Sequence, residues 1–335
     1  MLARVLGGVG RVMIAAGVLI LLFVIYQLWG TGLRTAAAQN QLRDEFRARQ
    51  DAAAHATTLP ALDETSTTTS TTTPGPTTPS TIAPPTVAGA IDPVKPGEAL
   101  GNVSIDKIGV DFQMVEGVDL AYLQDGPGHF PSTPFPGQAG NAALAGHRTT
   151  WAAPFNRIDE LVPGDSISIE TVQGLFTYEV VQPEGVEDGV GHRIITPTQT
   201  EILDQPSDVG VNTLTLMACH PKYSAAQRIV VVAKLIGNPA PTTEKSAESQ
   251  AASDSGGDEL LADEGLVGGD PDARSHAIGW SLVAAAIWLI VYLIARRWSW
   301  RQIPKWLTYG VGAVVFAVPL FLAFEAINQL LPAGY

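Results

Sequence analysis

Residues 212–235 read NTLTLMACHPKYSAAQRIVVVAKL. Two runs of alternating side chains, 212–219 and 229–235, flank a short polar loop. Alternation puts Thr213, Thr215, Met217 and Cys219 on one face of the first run, and Leu214, Leu216 and Ala218 on the other. In the second run Arg228, Val230, Val232 and Lys234 share a face, and Ile229, Val231, Ala233 and Leu235 share the opposite one. Eight residues separate Cys219 from Arg228, so the runs can pair as neighbouring strands through a short loop. Cys219 at the end of one strand and Arg228 at the start of the next then lie close, with residues 221–227 as the wall of a site at the strand ends.

The same grammar extends upstream. Short β-like runs occur at 102–108, 141–147, 166–171 and 176–182, punctuated by Gly, Pro and Asp. Pro163-Gly164-Asp165 is a turn signal. One helix-like piece, 152–161, follows His147. The pattern is all-β with short helices, either a barrel or a sandwich.

Outside residues 97–237 the composition changes. Residues 12–29, VMIAAGVLILLFVIYQLW, carry no charge and are long enough to cross a bilayer. Arg4 and Arg11 precede them and place the N-terminus in the cytoplasm. Ala36-Ala37-Ala38 could serve a signal peptidase, but the length of the apolar run favours an uncleaved anchor. We read 1–11 as cytoplasmic, 12–30 as a transmembrane helix and 31–96 as an extracellular stalk. The Thr/Pro/Ser-rich centre of that stalk, 57–86, cannot bury enough apolar surface to fold. Residues 238–276 read as a disordered acidic linker. Apolar stretches at 277–295 and 306–331 read as two more transmembrane helices. Between them, 296–305 carries Arg296, Arg297, Arg301 and Lys305 and no acid, the mark of a cytoplasmic loop. Glu325, inside the last stretch, lies within two turns of its outer end, from which a carboxylate can snorkel.

Charge and cysteine count exclude several functions. The chain carries a formal charge of -13, and over 97–237 seven Lys/Arg face seventeen Asp/Glu. Such a surface repels phosphates and argues against nucleic acid. One cysteine excludes an intramolecular disulfide and any Cys-rich metal site. No ATP loop, dinucleotide fingerprint or metal cluster is apparent, so neither a cofactor nor a metal is expected.

A thiolate, an arginine and a histidine together suit acyl transfer. The thiolate attacks an amide carbonyl, the arginine steadies the tetrahedral oxyanion, and the histidine protonates the expelled amine. His129, His147, His192 and His220 all lie in the β region, and residue type alone does not choose among them.

Here a resemblance adds to the reading. TLMAC at 215–219, followed by Arg228, resembles the Thr-Leu-x-Thr-Cys…Arg signature of the sortase family. NAALAGHR at 141–148 resembles the strand that delivers the sortase histidine, and DGPGHFPSTPFP at 125–136 is similar to a family segment. The likeness covers roughly 99–237. It implies a closed β-barrel with Cys219 as nucleophile, His147 as general acid/base and Arg228 as oxyanion stabiliser. Thr215, Ala218 and His220 are expected beside the substrate. Ala218 departs from the pattern, standing where the family usually has Thr. Cys-His-Pro after the nucleophile strand, with the long stalk, resembles class E sortases of high-GC Gram-positive bacteria.

The resemblance further implies secreted partner proteins with a C-terminal Leu-Pro-x-Thr-Gly-like or Leu-Ala-x-Thr-Gly-like sorting signal. These would be cleaved between Thr and Gly and passed to a peptidoglycan-precursor amine or another protein. The apolar spans and the basic loop between the last two place residues 30–276, and with them the catalytic domain, outside a cell membrane that the chain crosses more than once. All three motifs fall within 97–237, which is expected to fold alone. Two rivals remain. An L,D-type cell-wall transpeptidase resembles Ser-x-Gly-Cys-x-Arg, with Arg two residues after Cys rather than nine as here. A non-catalytic binding domain on a stalk predicts no thiol reactivity.

Overall fold

The computed structural model describes residues 2–58, 93–206, 208, 210–254, 273–297 and 305–330. The chain is helical from Leu2 to Thr58: α1 (Leu2–Ile25) passes through a π-helical turn at Tyr26–Gly30 into α2 (Thr31–Thr58). The β region then gives β1 (Ala99–Ile105), β2 (Val110–Glu116), a single helical turn α3 (Leu120–Leu123), β3 (Gly128–His129) and β4 (Asn141–Ala145). It continues with β5 (Ser166–Thr171), β6 (Gly174–Val180), β7 (His192–Ile195), β8 (Thr213–His220) and β9 (Gln227–Ile236). Three helices complete the chain: α4 (Ala247–Asp254), α5 (Ala273–Arg297) and α6 (Lys305–Leu330).

The strands hydrogen-bond in the order β6-β5-β1-β2-β3-β4-β8-β9, and β6 pairs with β9 to close the ring. This is an eight-stranded barrel. β7 joins the end of β9 that β6 leaves free, pairing Ile195 with Arg228. Closure leaves the ring no open edge. The period of two sorts the side chains. Val103, Ile105, Leu144, Ile167, Ile169, Leu214, Leu216, Ile229 and Val231 fill the interior. On the outside of β4, β8 and β9, Ala143, Ala145, Met217 and Val230 form a second apolar cluster with Phe130, Leu123 and Ile195.

Three expectations are corrected here. Residues 31–58 are not stalk but α2, whose Ala-, Arg- and Gln-rich sequence has no interior proline and good helix propensity. Thr35, Gln39, Leu42, Phe46 and Ala53 form a buried stripe at helical spacing. Leu42 and Phe46 pack on Ala99 and Val115. The Gln39 side-chain amide donates to Gln113 O at 2.9 Å and accepts from Gln113 N at 2.7 Å, satisfying β2 where the short β3 does not reach. Residues 59–92, the rest of the expected stalk, lie outside the described residues.

Residues 238–254 are not a disordered linker but a strap on the barrel. Ala240 N donates to Gly137 O at 2.7 Å, Ser249 Oγ to Val94 O at 3.1 Å, and Lys245 Nζ to the carbonyls of Pro131 and Thr133. The strap is held by polar contacts, which low hydrophobicity does not reveal. Residues 255–272 lie outside the described residues. Third, 152–161 is not a helix: it is turns with a 3₁₀ segment at Ile158–Glu160. Trp151, Ala152 and Ala153 sit at φ 54°, 60° and 46°, left-handed values that precede Pro154 and cannot propagate a right-handed helix.

Two described helices contain stretches long and apolar enough to cross a membrane, at Ala273–Ala295 and Tyr309–Asn328, with a shorter apolar run at Met13–Ile25. The basic loop expected between the long pair falls mostly at 298–304, outside the described residues.

Candidate active site

β8 and β9 run antiparallel in unbroken register, and Cys219 lies directly opposite Arg228. Both occupy the outer face, because Ala218 and Ile229 beside them point into the barrel. β4 runs parallel to β8, with Ala145 level with Met217, and Gly146 N continues the ladder to Met217 O at 3.0 Å. One further step brings His147 to the level of Cys219. The topology thus gathers the three residues at one end of three adjacent strands.

Gly146 explains the sharp exit from β4. A Cβ there would stand 2.6 Å from the Phe155 ring, so only glycine lets the following loop fold back. Phe155 N donates to His147 O at 3.1 Å and fixes the backbone of the histidine. Between them lie the three left-handed residues, each costing about 1–2 kcal/mol in an L-residue, so the loop is held by its surroundings rather than by its own preference.

Arg228 is 0% exposed. Its Nη1 donates to Ala225 O at 2.8 Å and Gln227 O at 3.1 Å, while Nε and Nη2 have no partner among the described residues. No carboxylate among the described residues pairs with it. A buried donor left unsatisfied costs about 1–3 kcal/mol, more when charged. Two such N–H groups on one guanidinium, across from a thiol, are a ready receptor for an anionic oxygen.

His147 is 5% exposed; its Nδ1 lies 3.5 Å from Thr150 Oγ1, and its buried Nε2 has no partner among the described residues. Burial pushes its pKa down to about 4. Burial pushes the Cys219 thiol up, against the pull of the Arg228 and Arg148 guanidinium groups. Both shifts favour the uncharged forms, a thiol and a neutral imidazole.

The remaining expected site residues are placed differently. Ala218 belongs to the barrel interior, so its methyl faces away from the site. Thr215 is buried, and its hydroxyl donates to Asn141 Oδ1 at 2.9 Å, which ties β8 to β4. His220 stands at the rim, where Arg148 Nη1 donates to its Nδ1 at 2.9 Å.

Arg148 is the residue that sequence reasoning passed over. It is buried, approaches Cys219 O at 3.4 Å through Nη1, and pairs through Nη2 with Asp159 Oδ1 at 3.0 Å. The signal was present: it is one of seven basic residues in the region and follows His147 directly.

The arrangement is a closed β-barrel whose outer face carries a thiol, a buried imidazole and a buried arginine with unpartnered nitrogens, the side-chain set that acyl transfer through a thioester can use. Residues 103–236, the barrel region, match the Sortase domain, and the curated relatives that the chain resembles are of the class E-like kind. The chain is 29% identical over 240 residues to Sortase SrtE1 of Streptomyces coelicolor, covering 68% of this chain and 56% of that protein. It is 31% identical over 143 residues to Sortase D of Bacillus subtilis, covering 42% of this chain and 65% of that one. The chain thus spans less than two thirds of either relative. Among solved structures, the Clostridium perfringens Sortase D5 transpeptidase is 34% identical with a TM-score of 0.37, covering 43% of this chain and 82% of that one.

Proposed function

We propose that this protein is a membrane-anchored cysteine transpeptidase. It cleaves a Leu-Pro-x-Thr-Gly-like or Leu-Ala-x-Thr-Gly-like C-terminal signal between Thr and Gly, and passes the new threonyl end to an amine of the cell wall or of another protein. The observation that carries the reading is the pair of unpartnered Arg228 N–H groups across the strand from Cys219.

In this reading Cys219 Sγ attacks the threonine carbonyl carbon while its proton passes to His147. The carbonyl oxygen takes up negative charge against Arg228 Nε and Nη2. The C–N bond to glycine breaks, and the His147 imidazolium gives its proton to the leaving amine. The threonyl group remains on Cys219 as a thioester. The acceptor amine then attacks, gives a proton to His147, and the thiol is restored as the thioester breaks. The low pKa of His147 suits this cycle: it rests as a base and, once protonated, is a strong acid toward the amine. Residues 97–254 then lie outside the membrane, with the apolar helices spanning it more than once.

The test is intact-mass spectrometry of the full-length protein in detergent micelles with each pentapeptide and a small amine. Expected are a thioacyl adduct on Cys219 and a peptide–amine product; a folded, alkylatable protein that forms neither adduct would overturn the reading.

A further inference from the structure

α6 carries one carboxylate, Glu325, inside its apolar stretch Tyr309–Asn328. A charge at such a place is retained only for a reason. Glu325, whose side chain is 25% exposed, is not left free at the helix end but engages a partner. Its Oε1 meets Arg34 Nη1 at 2.7 Å. Arg34 lies on α2, just past the π-helical turn. Aromatic rings seat α6 on α1 and on the π-helical turn that leads into α2: Tyr26 meets Phe321 edge-on at 5.2 Å, and Phe23 meets Phe324 at 5.2 Å.

Arg34 also faces the barrel. Its guanidinium lies 5.4 Å from the ring centre of Trp151, which is 5% exposed. A planar guanidinium can bond a carboxylate in its plane while its face lies on an indole, which an ammonium cannot do. Trp151 is the first of the three left-handed residues. The residue before it, Thr150, presents its hydroxyl to His147 Nδ1. A chain of contacts therefore runs from the last apolar helix to the imidazole.

We propose that the C-terminal helix pair is part of the acyl-transfer apparatus. Glu325 holds Arg34, Arg34 holds Trp151, and Trp151 fixes the loop that orients His147; all three are positioning residues. The inference rests on the role proposed above for His147. It gives the C-terminal helices a task beyond anchoring: correct seating of α6 on α1 and α2 licenses catalysis.

The experiment uses the full-length protein in nanodiscs and measures single-turnover acylation of Cys219 by a sorting pentapeptide, with iodoacetamide alkylation as a check on the thiol. Glu325→Gln, Arg34→Gln and Trp151→Ala are each expected to lower the acylation rate about tenfold, with the peptide concentration at half-saturation changed less than about twofold. Glu325→Gln is expected to be silent in the Trp151→Ala background, because the chain is already cut. If wild type is not acylated, the sortase reading itself fails. If wild type is acylated and Glu325→Gln matches it, the inference is overturned. It is equally overturned if Glu325→Gln costs the same factor with and without Trp151, which would mean the helix pair acts only through anchoring or stability.

Discussion

Arg148 Nη1 lies 2.9 Å from Nδ1 of His220. An arginine side chain has no acceptor, so the lone pair in this bond belongs to His220, whose Nδ1 carries no proton. Burial first, and then the Arg148 charge, lower its pKa, which agrees with a neutral ring. His220 is thereby committed to Arg148, whereas His147 keeps a buried nitrogen unengaged.

His147→Ala is therefore expected to lower Cys219 acylation by about 10²–10⁴-fold, the usual range for a lost general acid/base. His220→Ala is expected to cost about tenfold or less, well under that range. Single-turnover acylation of both variants across pH 5–9 decides it. A dead His220→Ala beside an active His147→Ala would move the acid/base role to the Cys-His dipeptide.

Arg228→Lys keeps the charge but loses the fork whose Nε and Nη2 are buried without a partner among the described residues. The loss of one oxyanion donor costs on the order of a hundredfold in rate, and that is the expected drop in kcat. A thermal melt run alongside shows whether the lost bonds to Ala225 and Gln227 also weaken the β8–β9 loop. Near-wild-type turnover would remove the guanidinium from the mechanism.

Burial sets the pH behaviour. His147 falls from an ordinary 6.5 to about 4 on folding, so the unfolded chain binds this proton more tightly than the folded one. The stability contributed by a neutral His147 is present above about pH 6.5 and is lost as pH falls toward 4. At about 1.4 kcal/mol per unit this is on the order of 3 kcal/mol. Urea unfolding between pH 4 and 7 should show the loss, and His147→Gln should flatten it. The raised thiol predicts slow iodoacetamide alkylation at pH 7 that climbs above the ordinary thiol range. A fast alkylation plateau at pH 6 would instead reveal a resting thiolate–imidazolium pair.

The barrel strands were readable where burial alternates, as in β5 and β6. Because β8 and β9 pair without a bulge, alternation and the short loop together placed Cys219 beside Arg228. Ala218 shows the method overruled: its own alternation pointed it inward, yet resemblance placed it by the substrate. α2 escaped because Thr35 and Gln39 occupy its buried stripe, and a stripe with polar members leaves little hydrophobic periodicity. The 238–254 strap escaped for the same reason, since Lys245 and Ser249 bind through backbone carbonyls. Arg148 escaped because a residue next to a motif histidine reads as spacing until its bonds are seen.

Residues 97–237 hold every barrel strand and were expected to fold alone, but they lack both α2 and the strap. Without α2, Ala99 and Val115 lose the cover of Leu42 and Phe46, and Gln113 loses both bonds to Gln39. Burying two such side chains contributes about 1.5–3 kcal/mol each, an upper estimate because unfolded chains already bury some surface. Domains have only about 5–15 kcal/mol in total, so the difference is a large share. A fragment of residues 31–254 is expected to exceed 97–237 in urea unfolding free energy by about 3 kcal/mol or more. Within it, Phe46→Ala should cost about 3–5 kcal/mol. Equal midpoints for the two fragments, with a neutral Phe46→Ala, would show that α2 merely rests against the barrel.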